Sequence, residues 1–216
     1  MVMRLPPQRR AGVHHRVAIA LEAREARVGH IAPADVARHY RAAITLAGPE
    51  PAARWARRAA AIDRSALAFT KAAGHLRRLR AAAADAGVAI ADGIVIDVLI
   101  DEADALARSG SPVDAKGLLL MAHGVSVRSR DARRLALVAL AGADLGSQFA
   151  TRRDDIISDL EEARAAVAGV DPVMEAMVTA ETRRAALALM HGRLEEAEPR
   201  IDAATAIGLR IREPVA

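Results

Sequence analysis

The sequence lacks cysteine and contains very few aromatic residues. Of its 216 residues, none is cysteine, one is tryptophan, one is tyrosine and two are phenylalanine. The absence of cysteine excludes disulfide bonds, thiol catalysis and cysteine-ligated metal sites. The scarcity of aromatic residues argues against a β-sandwich or a β-barrel, because such folds need more aromatic and β-branched side chains.

Long apolar runs are also missing. A membrane-spanning helix needs about 18 consecutive apolar residues, and no stretch of the sequence approaches that length. Residues 1–10 carry positive charges but lack the apolar segment of a signal peptide. We therefore expect a cytoplasmic protein with no membrane partner.

Alanine is the most abundant residue. It accounts for 53 positions, and hydrophobic residues together make up 52% of the chain. Alanine is the strongest helix former, and its small side chain lets helices approach one another closely. This composition predicts an all-α protein with a sizeable core, and it excludes wholesale disorder.

Charge is divided unevenly along the chain. Residues 1–80 carry 16 basic and 5 acidic side chains, whereas residues 81–216 carry 15 basic and 22 acidic ones. We favour the interpretation that both parts are solvated faces of one helical array. The alternative is a nucleic-acid-binding surface in the basic residues 1–80, although that segment contains no recognisable recognition helix or aromatic RNA-stacking motif.

Signals for helix starts and helix ends recur along the sequence. Residues 111–114 read Ser-Pro-Val-Asp, which supplies a cap, a proline at the first helical position and an acidic residue in the first turn. Glycines such as Gly87 and Gly110 stand where helices are expected to stop. These signals predict helices at about residues 8–28, 33–46, 50–66, 69–86, 93–109, 112–127, 130–145, 152–168, 171–191 and 193–209.

A repeat organises these helices. Every second helix carries small and bulky apolar residues at positions i, i+4 and i+7, and the pattern returns about every 41 residues. The four copies are Ala72-Leu76-Leu79, Ala115-Leu119-Ala122, Ile156-Leu160-Ala163 and Ala197-Ile201-Ala204. This period predicts a right-handed superhelical solenoid of antiparallel helix hairpins, similar to tetratricopeptide (TPR) repeats but longer than their about 34 residues. We expect one continuous domain, with an N-terminal helical segment at 1–48 and TPR-like repeats at 49–216. Because solenoid ends need polar caps, we also expect exposed apolar surface at one end of the array, and with it either self-association or a partner.

Several segments resemble the helical-repeat region of large bacterial signal-transduction ATPases, transcriptional regulators of the maltose-regulon-activator type. These segments are residues 5–10 (Leu-Pro-Pro-Gln-Arg-Arg), 14–18, 20–22, 37–40, 53–60 and 192–198 (Gly-Arg-Leu-Glu-Glu-Ala-Glu). The resemblance implies a non-catalytic repeat array that binds a protein, a peptide or a small inducer. The ATPase and DNA-binding modules of that family have no counterpart in the sequence, so we expect either a fragment or a shortened paralogue.

One motif points to an enzyme instead. Residues 98–107 read Val-Leu-Ile-Asp-Glu-Ala-Asp-Ala-Leu-Ala and resemble the Walker B strand of AAA+ ATPases. In that resemblance Asp101 would support the magnesium ion and Glu102 would polarise the attacking water. The phosphate-binding loop that this chemistry requires is missing from the sequence. The spacing of Asp97, Asp101 and Asp104 fits one side of a helix. We therefore predict a helix here and no ATP hydrolysis, and we retain a degenerate AAA+ nucleotide-binding protein as an alternative.

Other catalytic and metal-binding patterns are missing. The seven histidines show no metal-ligand spacing, and no serine lies in a hydrolase-type Gly-x-Ser-x-Gly turn. We predict no catalytic, cofactor or metal site. The one candidate binding site is Arg54, Trp55, Arg57 and Arg58, where basic side chains flank an aromatic ring and could hold a phosphate or an acidic peptide.

Overall fold

The computed structural model describes residues 6–29, 31–148 and 153–189, and all regular structure in them is helical. This confirms the all-α prediction. The helices are α1 (Pro7–Val28), α2 (Pro33–Ala42), α3 (Ile44–Ala47), α4 (Pro49–Ser65), α5 (Phe69–Asp85), α6 (Asp92–Arg108), α7 (Pro112–Ser129), α8 (Ala132–Gln148), α9 (Arg153–Val167) and α10 (Pro172–Leu189).

The predicted helices agree with the observed ones to within about three residues at each end, with one exception. The predicted helix at 33–46 is two helices, because the backbone leaves helical geometry at Ala43, where φ is −112°. The predicted last helix at 193–209 lies outside the described residues.

Helix ends follow the expected chemistry. Proline occupies the first turn of α1, α2 and α4, where its missing N–H leaves no hydrogen bond unmade. Gly29 ends α1 in the left-handed region (φ 69°), and its N–H donates to the carbonyl oxygen of Glu25 at 2.8 Å. Because glycine has no β carbon, it takes this conformation without strain.

The chain divides into two compact units, residues 1–118 and 119–216. In the first unit, α2 packs against α1 and α4, α4 packs against α5, and α5 packs against α6. Helices α4 and α6 also contact each other. In the second unit, α9 packs between α8 and α10, which also contact each other. The described residues of each unit therefore form helical hairpins stacked in sequence order, as in a helical-repeat protein.

Alanine-rich packing fills the core of the first unit. Tyr40 and Trp55 are the largest buried side chains in a cluster that consists mostly of alanine, with Leu76 and Leu79 fully buried beside them. Because alanine adds little width, the helices of such a core approach closely.

The repeat positions lie where the period predicts. All nine residues of the first three triads, which begin at residues 72, 115 and 156, are buried. The fourth triad, at 197–204, lies outside the described residues. The register of the repeat is thus confirmed for three copies, whereas the division at residue 48 into two segments of one domain stays a prediction.

Among the described residues, no helix combines the length and the apolar character needed to cross a membrane.

Candidate functional site

The basic side chains of α4 lie against acidic side chains of α1. Arg54 donates to the carboxylate of Glu22, and Arg58 donates to that of Glu25 at 2.6 Å. The hydroxyl of Tyr40 also donates to Glu22. Burial, together with the hydrogen bond to this carboxylate, raises the pKa of Tyr40 to about 12. Two of the three arginines predicted to bind a ligand are therefore already paired within the chain.

The third arginine belongs to a ladder of ion pairs between α4 and α6. Arg57 donates to Asp101 at 2.6 Å and to Asp97 at 3.0 Å. Arg64 donates to Asp101 at 3.1 Å and to Asp104 at 3.3 Å. We call these five residues the α4–α6 ladder. Acidic residues of 81–216 thus neutralise basic residues of 1–80, which accounts for part of the uneven charge along the sequence.

The segment that resembles a Walker B strand is part of α6, so the helix prediction is confirmed and the strand interpretation is wrong. Asp101 faces α4, whereas the next residue, Glu102, is 2% exposed. Its carboxylate accepts two hydrogen bonds from Arg80 of α5, at 2.8 and 3.1 Å. Consecutive helical residues point about 100° apart. The two carboxylates therefore serve different helix contacts rather than one site.

Trp55 belongs to the core. Its ring is 4% exposed, and the guanidinium of Arg58 lies 4.9 Å from the ring centroid. This is a cation–π contact, in which the face of the aromatic ring attracts the positive charge of the guanidinium. Within the described residues, the indole nitrogen of Trp55 is buried without a hydrogen-bond partner. Binding of a ligand by Arg54, Trp55, Arg57 and Arg58 stays a prediction.

Histidines form pairs rather than clusters. His14 and His39 are joined through their Nδ1 atoms at 2.8 Å, and His75 contacts Asp63 at 2.9 Å in a buried pair. No group of three potential metal ligands occurs within residues 6–29, 31–148 and 153–189. Burial lowers the pKa of His39, to which His14 and Arg38 add repulsion. Burial also lowers the pKa of His75, and it outweighs the opposing effect of Asp63.

These two shifts predict a loss of stability in mild acid. A histidine whose pKa is lower in the folded state takes up its proton first in the unfolded state, so unfolding becomes more favourable as pH falls below about 6.5. We expect the free energy of unfolding, measured in urea, to decrease between about pH 7.5 and about pH 5.5. The His39→Gln/His75→Gln double variant should show a smaller decrease. An equal decrease in both proteins would contradict this assignment.

One surface feature was missed by sequence reasoning. Leu120, Met121 and Val127 of α7 are 64%, 54% and 46% exposed. Gly124 lies at a helical spacing that places it on the same side, and a β carbon there would contact only the flexible end of Arg128. Glycine destabilises a helix interior by about 1 kcal/mol relative to alanine. We call these four positions the α7 patch; the guanidinium of Arg128 lies beside Gly124 at its centre.

Comparisons with known proteins identify the fold. No family model matches the chain, and no curated protein matches it. A solved structure of the nearly identical TPR-like repeats of a candidate kinesin light chain from Podosopora anserina is 16% identical, with a TM-score of 0.59. A single-substitution variant of that protein gives a TM-score of 0.60 at the same identity. In both comparisons the similarity covers 97% of this chain and 99% of the other. The chain has an all-α fold of the TPR-like repeat solenoid type.

Proposed function

We propose that the protein is a non-catalytic helical-repeat scaffold of a bacterial regulatory system, located in the cytoplasm, and that it binds an amphipathic helix of a protein partner. The TPR-like fold supports this proposal because stacked hairpins present extended surfaces suited to protein binding. The resemblance of residues 5–60 and 192–213 to regulator repeat regions supports the regulatory context.

The α7 patch is the observation that carries the binding function. Leu120, Gly124 and Val127 lie at positions i, i+4 and i+7 and form one stripe along the helix surface, with Met121 about 100° to one side, at the edge of that stripe. Such stripes bind a partner helix through apolar residues spaced three and four apart.

Charge around the α7 patch indicates the chemistry of its partner. Arg128 and Arg130 are exposed; the guanidinium of Arg128 lies beside Gly124 within the patch, and Arg130 follows the C-terminal end of the patch. Charged residues at the rim of an interface favour partners of opposite sign. We therefore propose a partner helix that carries acidic residues beside its apolar stripe.

Ion pairs within the chain argue against the two alternative functions, nucleotide binding and nucleic-acid binding. Asp101 accepts hydrogen bonds from two arginines, and Glu102 is buried against Arg80. A nucleotide-binding role would have to break these pairs. Nucleic-acid binding through residues 1–80 would likewise compete with the acidic partners of Arg54, Arg57 and Arg58. The scaffold function requires neither change.

Peptide selection tests the proposal. A display library of random helical peptides about 16 residues long would be selected on the wild-type chain and counter-selected on the Leu120→Glu/Met121→Glu variant. We expect enriched peptides with an apolar stripe and net negative charge. Their affinity for the double variant should be at least about tenfold lower, because two buried carboxylates would lie in the apolar contact.

Val170→Glu is the matched control, because Val170 is 75% exposed and lies outside α7. Peptides should bind this variant as tightly as wild type. Enrichment of peptides that bind the Leu120→Glu/Met121→Glu variant as well as wild type would contradict the proposal. So would a failure to enrich any peptide.

A further inference from the structure

A cavity lies in the first unit, and no residue of the α7 patch lines it. It is an open cavity with a volume of about 570 Å³, lined by the start of α1, by residues at the junction of α2 and α3, and by the end of α5. Its polar lining comes from Gln8, Arg10, Arg41, Thr45 and Asp85. A cavity of this volume lies within the range of small-molecule sites.

Arg41 and Arg10 differ from the arginines of α4. Each of the α4 arginines at positions 54, 57, 58 and 64 is paired with a carboxylate of a neighbouring helix. Within the described part of the chain, neither Arg10 nor Arg41 forms an ion pair. The first turn of α1, which also lines the cavity, contains no acidic residue.

The surroundings of Arg41 are unfavourable for its charge. Its side chain is partly buried, and the nearby charged groups that act on it are Arg78 and Arg38. Burial first, and then repulsion from these two arginines, lowers the pKa of the Arg41 guanidinium. A negative group in the cavity would offset this repulsion and supply the missing partner for the guanidinium.

We propose that this cavity binds a small organic anion, with Arg41 and Arg10 holding its carboxylate or phosphate group. Asp85 lies at the end of α5, on the same cavity. This carboxylate still leaves a net positive lining, because two arginines face one acidic residue.

Titration with two simple anions tests the site. Inorganic phosphate and succinate would be titrated separately into the full chain at constant ionic strength, and the amide signals of Thr45 and Ala82 would be followed by nuclear magnetic resonance. We expect at least one anion to give saturable shifts at these two residues. The comparison of the two titrations decides between a phosphate and a carboxylate group.

Variants assign the binding to the arginines. Arg41→Gln should weaken binding by about tenfold, because one charge-assisted contact is lost. Arg10→Gln should do the same, and it tests the site independently if Arg41→Gln does not fold. Asp85→Asn should tighten binding, since it removes a like charge. Arg77→Gln is the control, because Arg77 is exposed on α5 and does not line the cavity, and binding should stay unchanged.

The stability of Arg41→Gln, measured with and without anion, provides a second test. Because Arg41 is repelled by its neighbours, Arg41→Gln should be as stable as wild type without anion and should gain less stability when anion is added. The proposal is overturned if neither anion gives saturable shifts, or if phosphate and succinate bind Arg41→Gln and Arg10→Gln as tightly as wild type.

Discussion

Replacing Arg80 by methionine is expected to lower the free energy of unfolding by about 3 kcal/mol. Arg80 donates two hydrogen bonds to Glu102, whose side chain is 3% exposed. Methionine preserves much of the apolar stem but removes both donors, so a charged carboxylate stays buried without a partner. Urea unfolding of the two proteins at neutral pH measures the difference.

A double variant separates the lost pair from lost packing. In Arg80→Met/Glu102→Met no unpaired charge remains, and replacing a buried ion pair with apolar residues is often neutral. We expect this protein to recover most of the lost stability. If the double variant is less stable than Arg80→Met alone, the buried carboxylate is not the cause of the destabilisation.

Replacing Leu76 by alanine is expected to lower the free energy of unfolding by about 3 kcal/mol. Leu76 is fully buried in the core of the first unit and is the central residue of its repeat triad. Its neighbours are mostly alanines, which are too short to move into the space that the substitution leaves. Thermal or urea unfolding would report the loss.

Ile62→Ala in α4 is the matched control for Leu76→Ala. Ile62 is 50% exposed, so its truncation should change the free energy of unfolding by less than about 0.5 kcal/mol. Equal effects of the two substitutions would show that the triad does not mark the core.

The parts of the fold that depend on local patterns could be predicted from the sequence. Proline and glycine signals placed the helix ends, and the i, i+4, i+7 triads placed buried residues on α5, α7 and α9. The same reasoning placed Asp97, Asp101 and Asp104 on one side of α6. All three contact arginines of α4, as that common side requires.

Partners between helices could not be predicted in this way. The spacing of the aspartates indicates that α6 has an acidic side. It does not specify that Arg57 and Arg64 of α4 face that side, because this depends on how one helix is rotated against the other. Trp55 shows the same limit. Its basic neighbours suggested a surface site, whereas its ring packs in the core and Arg58 covers it.

Exposure of an apolar residue is equally hard to read from one sequence. Leu119 and Leu120 are adjacent and chemically identical, yet the first is 7% exposed and the second 64%. The triad marks Leu119 as buried but does not describe the opposite side of the helix. The exposure of the α7 patch therefore could not be predicted from the triad.

Alternation of charge across α1, α4 and α6 makes the hairpins of the first unit non-interchangeable. Acidic residues of α1 face basic residues of α4, whose other arginines face acidic residues of α6. A duplicated α4–α5 hairpin inserted next to the original would set arginines against arginines. The order of the repeats is thus encoded in their charges, and a shuffled or consensus version of this array would have to redesign each junction separately.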